Sequence, residues 1–366
     1  MSRLDELIAE LCPDGVEHKR LSDVTTVARG KRVVKKELSQ TDGYPVYQNS
    51  LTIMGYYTDT NYPADTTFVI GAGAAGEIGY SSEDFWAADD CFPVPGNNEI
   101  LDRFIFHVLL WKKDCLSSRV RKASIPRLSR SVIEELVIPV PPLEIQSEIV
   151  RILDNFTELT AELTAELTAR KQQYEYYREM LLTDTTDAPL KRLGDTCNMK
   201  SGKAIKAVML SSEKDEEHGY PCFGGNGIRG YIAEPSHHGE YPIIGRQGAL
   251  CGNVNYATGD FYATEHAVVV KSKGEYDQRY LFYLLTSMNL NQYKSQGAQP
   301  GLAVGNIENL MAPVPSLEKQ KRIVNVLDRF DMLCEDISSG LPAEIEARQK
   351  QYEYYRDKLL TFKQLA

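Results

Sequence analysis

PVPPLEIQSEIVRILDNF, residues 139–156, returns as PVPSLEKQKRIVNVLDRF at residues 313–330, and RKQQYEYYREMLLT (170–183) returns as RQKQYEYYRDKLLT (348–361). Matches of this length do not arise by chance, so the chain carries an internal duplication at a period far above that of solenoid repeats. Fainter echoes precede each copy: KRLSDV (19–24) with KRLGDT (191–196), RGKRV (29–33) with SGKAI (201–205), GYPVY (43–47) with GYPCF (219–223), and SIPRLSRSVIEELVIPVPPLE with AQPGLAVGNIENLMAPVPSLE. The repeated unit is a divergent stretch of about 120 residues followed by a near-identical one of about 40.

The near-identical stretches read as long helices. Each opens after a proline-rich segment, Pro139 to Pro142 and Pro313 to Pro315, that cannot itself be helical. In the first copy Ile149, Leu153, Phe156, Thr160, Leu163, Leu167, Arg170, Tyr174, Tyr177 and Leu181 follow steps of four and three, the period of a coiled-coil seam. The second copy runs Ile323, Leu327, Phe330, Cys334, Ile337 and resumes at Ile345, Arg348, Tyr352, Tyr355, Leu359. Between them Ser338, Ser339, Gly340, Leu341 and Pro342 predict a break and restart. A helix of about 40 residues is about 60 Å long. That is too long to lie on one small domain, so the two helices are expected to pack antiparallel, with a globular module at each end.

The divergent stretches are rich in Gly, Tyr, Val and Ile, with short apolar runs such as TFVIG (67–71), YPIIG (241–245) and AVVVK (267–271) between turn residues. Each also holds one apolar helix candidate, FIFHVLLW (104–111) and YLFYLLTSM (280–288). The expected class is α+β: two similar modules, residues 1–142 and 183–316, separated by helices over 143–182 and 317–361, with a short tail at 362–366.

Several motifs suggest chemistry and then fail their own tests. Gly71, Gly73 and Gly76 spell G-x-G-x-x-G after a strand-like FVI, but the following EIGYSSEDFW is not an amphipathic helix and the matching IGRQGALCGN (244–253) breaks the spacing. A hairpin with glycines in its tight turn is the simpler expectation. Gly30-Lys31 and Gly202-Lys203 lack the Ser or Thr and the upstream glycine of a phosphate-binding loop. Pro13 and Asp14 with Glu17 and Lys19 sketch a nuclease-like carboxylate and lysine set, spaced too tightly; a turn at Pro-Asp-Gly accounts for them. His237 and His238 are neighbours, placed on opposite sides of a strand, with no cluster to make them metal ligands. The seven cysteines are scattered and nowhere spaced C-x-x-C, which predicts reduced thiols. No Asn-Pro-Pro-Tyr or Asp-Pro-Pro-Tyr motif is present, so no catalytic residue, cofactor site or metal site is assigned.

Basic and amide side chains are more informative. Arg29, Lys31, Arg32, Lys35 and Lys36 stand close together, as do Lys112, Lys113, Arg119, Arg121, Lys122, Arg127 and Arg130. In the second module Lys200, Lys203, Lys206, Arg229, Arg246, Lys271 and Lys273 are looser. Such runs suit phosphate positioning, and nearby Gln48, Asn49, Asn226, Gln247 and Gln299 carry the bidentate amides that read adenine edges. For any one of these residues the plain alternative is a solvated surface side chain.

The doubled PVP-x-L-E-x-Q and Q-Y-E-Y-Y-R segments resemble the DNA-specificity subunit of type I restriction-modification systems, and the likeness runs from about residue 19 to 361. The resemblance implies two target-recognition domains, each reading one half of a split site on double-stranded DNA. It also implies two antiparallel spacer helices that dock two methyltransferase subunits. Those partners would hold S-adenosylmethionine, and motor-nuclease subunits joined through the complex would use ATP and magnesium. Recognition domains diverge within that family, so base-contacting residues come from residue chemistry alone. Residues 157–168, TELTAELTAELT, are a four-residue repeat on the first helix, expected to set spacer length. A coiled-coil scaffold that binds proteins without DNA specificity is the competing class.

Lys+Arg 41 against Asp+Glu 51 gives a formal net charge of -10, which at first sight opposes a DNA partner. Residues 20–142 carry a net charge of only −1 and residues 190–316 are neutral, while the first helix, the ends and the linker hold most of the acidity. Weak DNA binding by the chain alone is the expectation. No apolar run reaches membrane-helix length and the start, MSRLDELIAEL, is acidic, so a cytoplasmic location is expected.

Overall fold

The structure is a computed structural model that describes residues 3–184, 188–248, 250–295, 300–335 and 340–365. The chain divides into two compact units, Met1–Thr164 with Glu344–Ala366, and Ala165–Ala343.

Unit 1 runs α1 (Arg3–Leu11), β1 (Glu17–Arg20), α2 (Leu21–Val24), β2 (Tyr44–Tyr47), β3 (Tyr56–Tyr57), β4 (Thr66–Ile70), β5 (Ile78–Ser81), β6 (Trp86–Ala87), β7 (Cys91–Val94), α3 (Asp102–Trp111), α4 (Lys113–Ser118), α5 (Arg130–Glu134), β8 (Val137–Val140) and the first half of α6 (Leu143–Thr183). Strands β5-β4-β7 form an antiparallel sheet, β3-β2-β6 a mixed one, and β1 pairs with β8, so the chain entering the module is hydrogen-bonded to the chain leaving it. The β8 strand ends at Pro141 and Pro142, after which α6 starts. Phe104, Ile105, Val108 and Leu109 on α3 share a core with Ile145, Ile149 and Leu153 of α6 and with Leu360 near the end of the chain.

Unit 2 repeats the plan: β9 (Leu190–Arg192), α7 (Leu193–Thr196), β10 (Cys197–Ser201), β11 (Tyr220–Gly224), β12 (Gly227–Ile232), β13 (His237–His238), β14 (Tyr241–Gly245), β15 (Val254–Ala257), β16 (Asp260–Ala263), β17 (Ala267–Ser272), α8 (Gln278–Ser287), α9 (Val304–Glu308), β18 (Met311–Pro313) and α10 (Leu317–Glu335). The sheets are β10-β17-β14-β15, β12-β11-β16-β13 and the closing pair β18-β9. Tyr280, Leu281, Leu284 and Leu285 of α8 pack with Leu182 of α6 and Ile323 and Leu327 of α10. The final helix, α11, spans Leu341–Leu360. Ile337 of the expected seam and Ser338 and Ser339 of the expected break lie outside the described residues; α10 is described as far as Glu335, and α11 from Leu341.

The glutamine of the repeated PVP-x-L-E-x-Q segment has a structural job in both copies. Gln146 is wholly buried; its Oε1 accepts from the Leu101 N–H (2.9 Å) while Nε2 donates to the carbonyls of Glu99 and Pro141 (both 2.8 Å). Gln320 repeats this, accepting from Asp277 N (2.7 Å) and donating to Glu275 and Pro315 carbonyls (both 2.8 Å). Each amide ties the start of the module's helix to the start of the long helix, with its polar atoms matched as burial demands.

A polar junction lies alongside in each unit. In unit 1 the Asp154 carboxylate accepts from Arg103 Nε (2.8 Å) and His107 Nε2 (2.7 Å), and His107 Nδ1 faces the Tyr352 hydroxyl at 3.2 Å. Arg103 lies over the Tyr80 and Phe106 rings at 4.4 and 4.7 Å. In unit 2 Arg279 Nε donates to Asp328 (2.8 Å), Tyr283 lies 2.6 Å from both Asp328 and Asp331, and Arg279 covers Tyr256 and Phe282 at 4.9 and 5.1 Å. The same arginine, carboxylate and aromatic shelf therefore recur, with His107 exchanged for Tyr283. Unit 1 is sealed by the other end of the chain: Val16 N–H donates to Lys363 O and Leu365 N–H to Val16 O, both at 2.9 Å.

Candidate nucleic-acid interface

In unit 1 the segment Trp86 to Cys91 gathers chain from three directions. Lys31 N–H donates to Ala87 O (2.9 Å), Gly30 N–H to Cys91 O (2.9 Å), Ala88 N–H to Tyr47 O (2.9 Å) and Gly71 N–H to Asp90 O (2.6 Å). The basic loop after Ala28, the loop after β2 that carries Gln48 and Asn49, and the β4–β5 turn are thereby collected at one end of the module. A fourth segment joins them: Leu128 N–H donates to Gly71 O (2.8 Å), Gly73 N–H to Pro126 O (3.1 Å), Ala74 N–H to Asn49 O (2.9 Å), and Arg121 pairs with Arg127 across the backbone. Asn49, Arg121 and Arg127 thus meet around Gly73, where φ is 81° and an added Cβ would press on the Asn49 carbonyl.

Unit 2 builds the same convergence on Tyr262 to Ala267. Lys203 N–H donates to Ala263 O (3.0 Å), Gly202 N–H to Ala267 O (3.0 Å), Thr264 N–H to Phe223 O (2.9 Å) and Arg246 N–H to His266 O (2.9 Å). Leu302 N–H reaches Arg246 O (2.8 Å), Gly248 N–H reaches Pro300 O (3.1 Å), and Gln247 bridges to Gly301. Asn226 accepts from the Asn253 amide at 3.0 Å on the adjoining turn. Gln299 lies outside the described residues. A cleft of about 360 Å³ opens here between Gly225, Gln247, Gly248, His266, Pro300 and Gly301. Beside it Arg246 Nε, Glu265 Oε2 and His266 Nδ1 are buried with no hydrogen-bond partner among the described residues, atoms that gain most from an incoming polar group.

Charge follows the same geography. Lys31, Arg32, Lys35, Lys36, Arg119, Arg121, Lys122 and Arg127 are exposed in unit 1, with Arg29 also exposed and donating from Nε to Asp89 O at 3.2 Å. In unit 2 Lys203, Lys206 and Arg229 are exposed, and Arg246, half-buried, donates from Nη1 to Ser201 Oγ at 3.0 Å. A second cleft of about 1010 Å³ has Lys200, Lys203 and Lys206 on its wall, with His218, His237 and Tyr262. Other members of the basic runs are used internally: Lys113 pairs with Glu77 (2.9 Å), Arg130 with Glu134 (3.0 Å), Lys112 lies over Trp111 (3.6 Å) and Lys273 donates to Gly194 O (2.8 Å).

The motifs set aside on spacing have structural explanations. Gly71, Gly73 and Gly76 serve the β4–β5 hairpin: an added Cβ at Gly71 would run into the Phe92 ring, and Gly76 has φ 89°. Gly30 and Gly202 let the backbone approach Ala88 and Ala263 more closely than any side chain would allow. His238 Nδ1 lies 2.6 Å from Asp260, while His237 stacks on Phe261 at 5.2 Å and its pKa is pushed down by burial. Among the described residues no three of His, Cys, Asp and Glu converge at metal-binding distance. The convergence segments themselves escaped the sequence reading. The signal for them was WAADD (86–90) standing where YATEH (262–266) stands in the second copy.

A family model described as "Type I restriction modification DNA specificity domain" matches residues 13–170 and again 187–347. The Type I restriction enzyme EcoprrI specificity subunit of Escherichia coli is 46% identical over 263 residues, 68% of this chain and 64% of that protein, so the chain aligns with just under two thirds of that relative. The crystal structure of the type I restriction-modification S subunit from M. genitalium superimposes with a TM-score of 0.67 at 18% identity, over 94% of this chain and 96% of the other. A further chain, from a structure of complex assembly in the type I R-M system, gives 0.58 at 17% identity over 96% and 98%. At these identities the two structures speak to the fold.

Proposed function

Because the chain belongs to the type I restriction-modification DNA-specificity family, we propose that its two modules read the two halves of one split target, unit 1 through Asn49, Arg121 and Arg127 and unit 2 through Asn226, Arg246 and Gln247. The chain recognises DNA sequence and leaves catalysis to other subunits. The observation that carries the finer reading is the loop convergence, built twice on one backbone plan with different side chains at its tip: Asn49, Ala72 and Arg127 in one copy stand where Gly225, Gln247 and Gly301 stand in the other. Equal scaffolds with unequal tips are what a non-palindromic, bipartite target requires. Amide and guanidinium groups supply the bidentate donors that distinguish base edges.

The long helices are the docking elements for two methyltransferase subunits. Supporting this, Tyr176 on α6 and Tyr354 on α11 occupy matching places in the repeat and are 65% and 63% exposed, and exposed tyrosine is a frequent interface anchor. S-adenosylmethionine would sit in those subunits, ATP and magnesium in motor-nuclease subunits, and none in this chain. The unread spacer between half-sites is set by α6.

The test is single-molecule methylation sequencing of DNA from cells expressing the chain with its methyltransferase subunits, for wild type and Gln247→Ala. The expected result is a bipartite motif in wild type and relaxation of one half only in the variant. Loss of both halves together, or a motif with no gap, would overturn the assignment. Binding with no base preference would favour the protein-scaffold reading.

A further inference from the structure

One lysine is built identically into both modules. Gly30-Lys31 and Gly202-Lys203 sit at matching places, each glycine pressed against the gathering segment and each lysine N–H bonded to it. The lysine carbonyl is also held, by Trp86 Nε1 at 2.9 Å in unit 1 and by Tyr262 Oη at 3.3 Å in unit 2. With N–H and C=O both fixed and no room for a Cβ on the residue before, the base of this side chain is rigidly placed. The ammonium group is left exposed, and neither lysine has an ion-pair partner among the described residues.

The charged and polar residues around it change between the copies. Arg29 becomes Ser201, Arg32 becomes Ala204, Lys35 becomes Ala207 and Lys36 becomes Val208, while the loop tips exchange Asn49 for Gly225 and Arg127 for Gly301. Two modules that read different bases share only the sugar-phosphate backbone of the DNA. A side chain held constant while the readers vary contacts what is constant, and a lysine, a point charge without bidentate geometry, suits a phosphate and does not discriminate a base.

Resting on the DNA-reading function above, we infer that Lys31 and Lys203 are paired phosphate anchors that fix each module's register on the duplex and carry no sequence information. The side chains of the three loops then do the reading from a common origin.

The experiment uses the chain assembled with its methyltransferase subunits and measures affinity for cognate and unrelated duplexes across salt, with Lys31→Ala, Lys203→Ala, the double variant, the two Lys→Arg variants and Gln247→Ala. Each anchor removed should lower the slope of log affinity against log salt by about 0.9, equally on both duplexes, and the double variant by about twice that. Arginine should restore the slope, and the methylated motif should stay unchanged. Gln247→Ala should leave the slope alone and weaken cognate binding only. An unaltered slope in both alanine variants, or a changed motif, overturns the anchors while leaving sequence reading intact. A wild-type complex with no cognate preference overturns the reading itself and the anchors with it.

Discussion

At the scale of single residues, the repeated glutamine shows why so much of the helix sequence is duplicated. Gln146 and Gln320 each satisfy one backbone N–H and two carbonyls, the bonds to Pro141 and Pro315 buried and the others part-buried, so alanine at either place strands backbone groups at the edge of the core. A loss of about 1–3 kcal/mol is expected for each, read as a lowered denaturant midpoint, with Gln146→Ala destabilising unit 1 and Gln320→Ala unit 2. His107 makes the polar junction of unit 1 pH-sensitive where the matching junction of unit 2, with Tyr283 in its place, has no histidine. Burial pushes its pKa below the ordinary histidine value despite the opposing pull of Asp154, so the native ring is neutral, donating from Nε2 to Asp154 and accepting from Tyr352, whose own pKa burial pushes up to about 12. Below about pH 6.5 the unfolded chain binds a proton that the native ring refuses, so stability falls as pH drops from there toward the native pKa. His107→Tyr, the residue that unit 2 uses, should flatten the thermal midpoint of unit 1 between pH 7 and 5. An unchanged pH profile would assign the dependence elsewhere. For Asp154, burial raises the carboxyl pKa but the hydrogen bonds from His107 and Arg103 outweigh it, leaving the group below its usual range. Its contribution is therefore present above about pH 4 and lost only as pH falls through its native value.

At the scale of elements, α6 runs without Gly or Pro from Leu143 to Thr183, and its TELTAELTAELT stretch contains no wholly buried residue. Thr157, Thr160 and Thr164 bond back to carbonyls four residues earlier, at 3.1, 2.8 and 2.7 Å, which lets threonine sit in an exposed helix without competing for other partners. One inserted TAEL lengthens the helix by about 6 Å, close to two base pairs at about 3.4 Å each. The expected outcome is a longer gap between unchanged half-sites in methylation mapping, and an identical gap would sink the ruler reading of α6. Elements of this kind were legible because period and proline punctuation are local: both long helices, the α3 and α8 helices and the β4–β5 hairpin all follow from adjacent residues. The gathering segments were not legible, since Trp86–Cys91 acquires its meaning only from Lys31, Tyr47 and Gly71, brought in from distant parts of the chain. Within the basic run at 112–130, sequence adjacency does not show that Glu77 pairs with Lys113 and that Lys112 lies over Trp111, while Arg119, Arg121, Lys122 and Arg127 stay exposed.

At the scale of the whole molecule, the duplication distributes labour: what the copies share is scaffold, Gly-Lys pair and helix, and what they do not share is the loop tip. Reading the sequence twice was enough to see that division but not to place its residues, because His107 and Tyr283 stand in what looks like a plain apolar helix until the carboxylates of α6 and α10 are brought beside them. The sealing of unit 1 by Lys363 and Leu365 against Val16 has a consequence for how the protein is made. Unit 2 is one uninterrupted stretch, whereas unit 1 is completed by a segment encoded after unit 2, Glu344–Ala366, which includes the wholly buried Leu360. Domains ordinarily mature in the order of translation. Here the later-encoded unit can finish first, and the earlier one waits with an open core until Glu344–Ala366 arrives. A chain truncated after Ala343 should protect unit 2 from limited proteolysis while leaving the Leu4 to Leu21 region susceptible, a difference that restoring Glu344–Ala366 would erase.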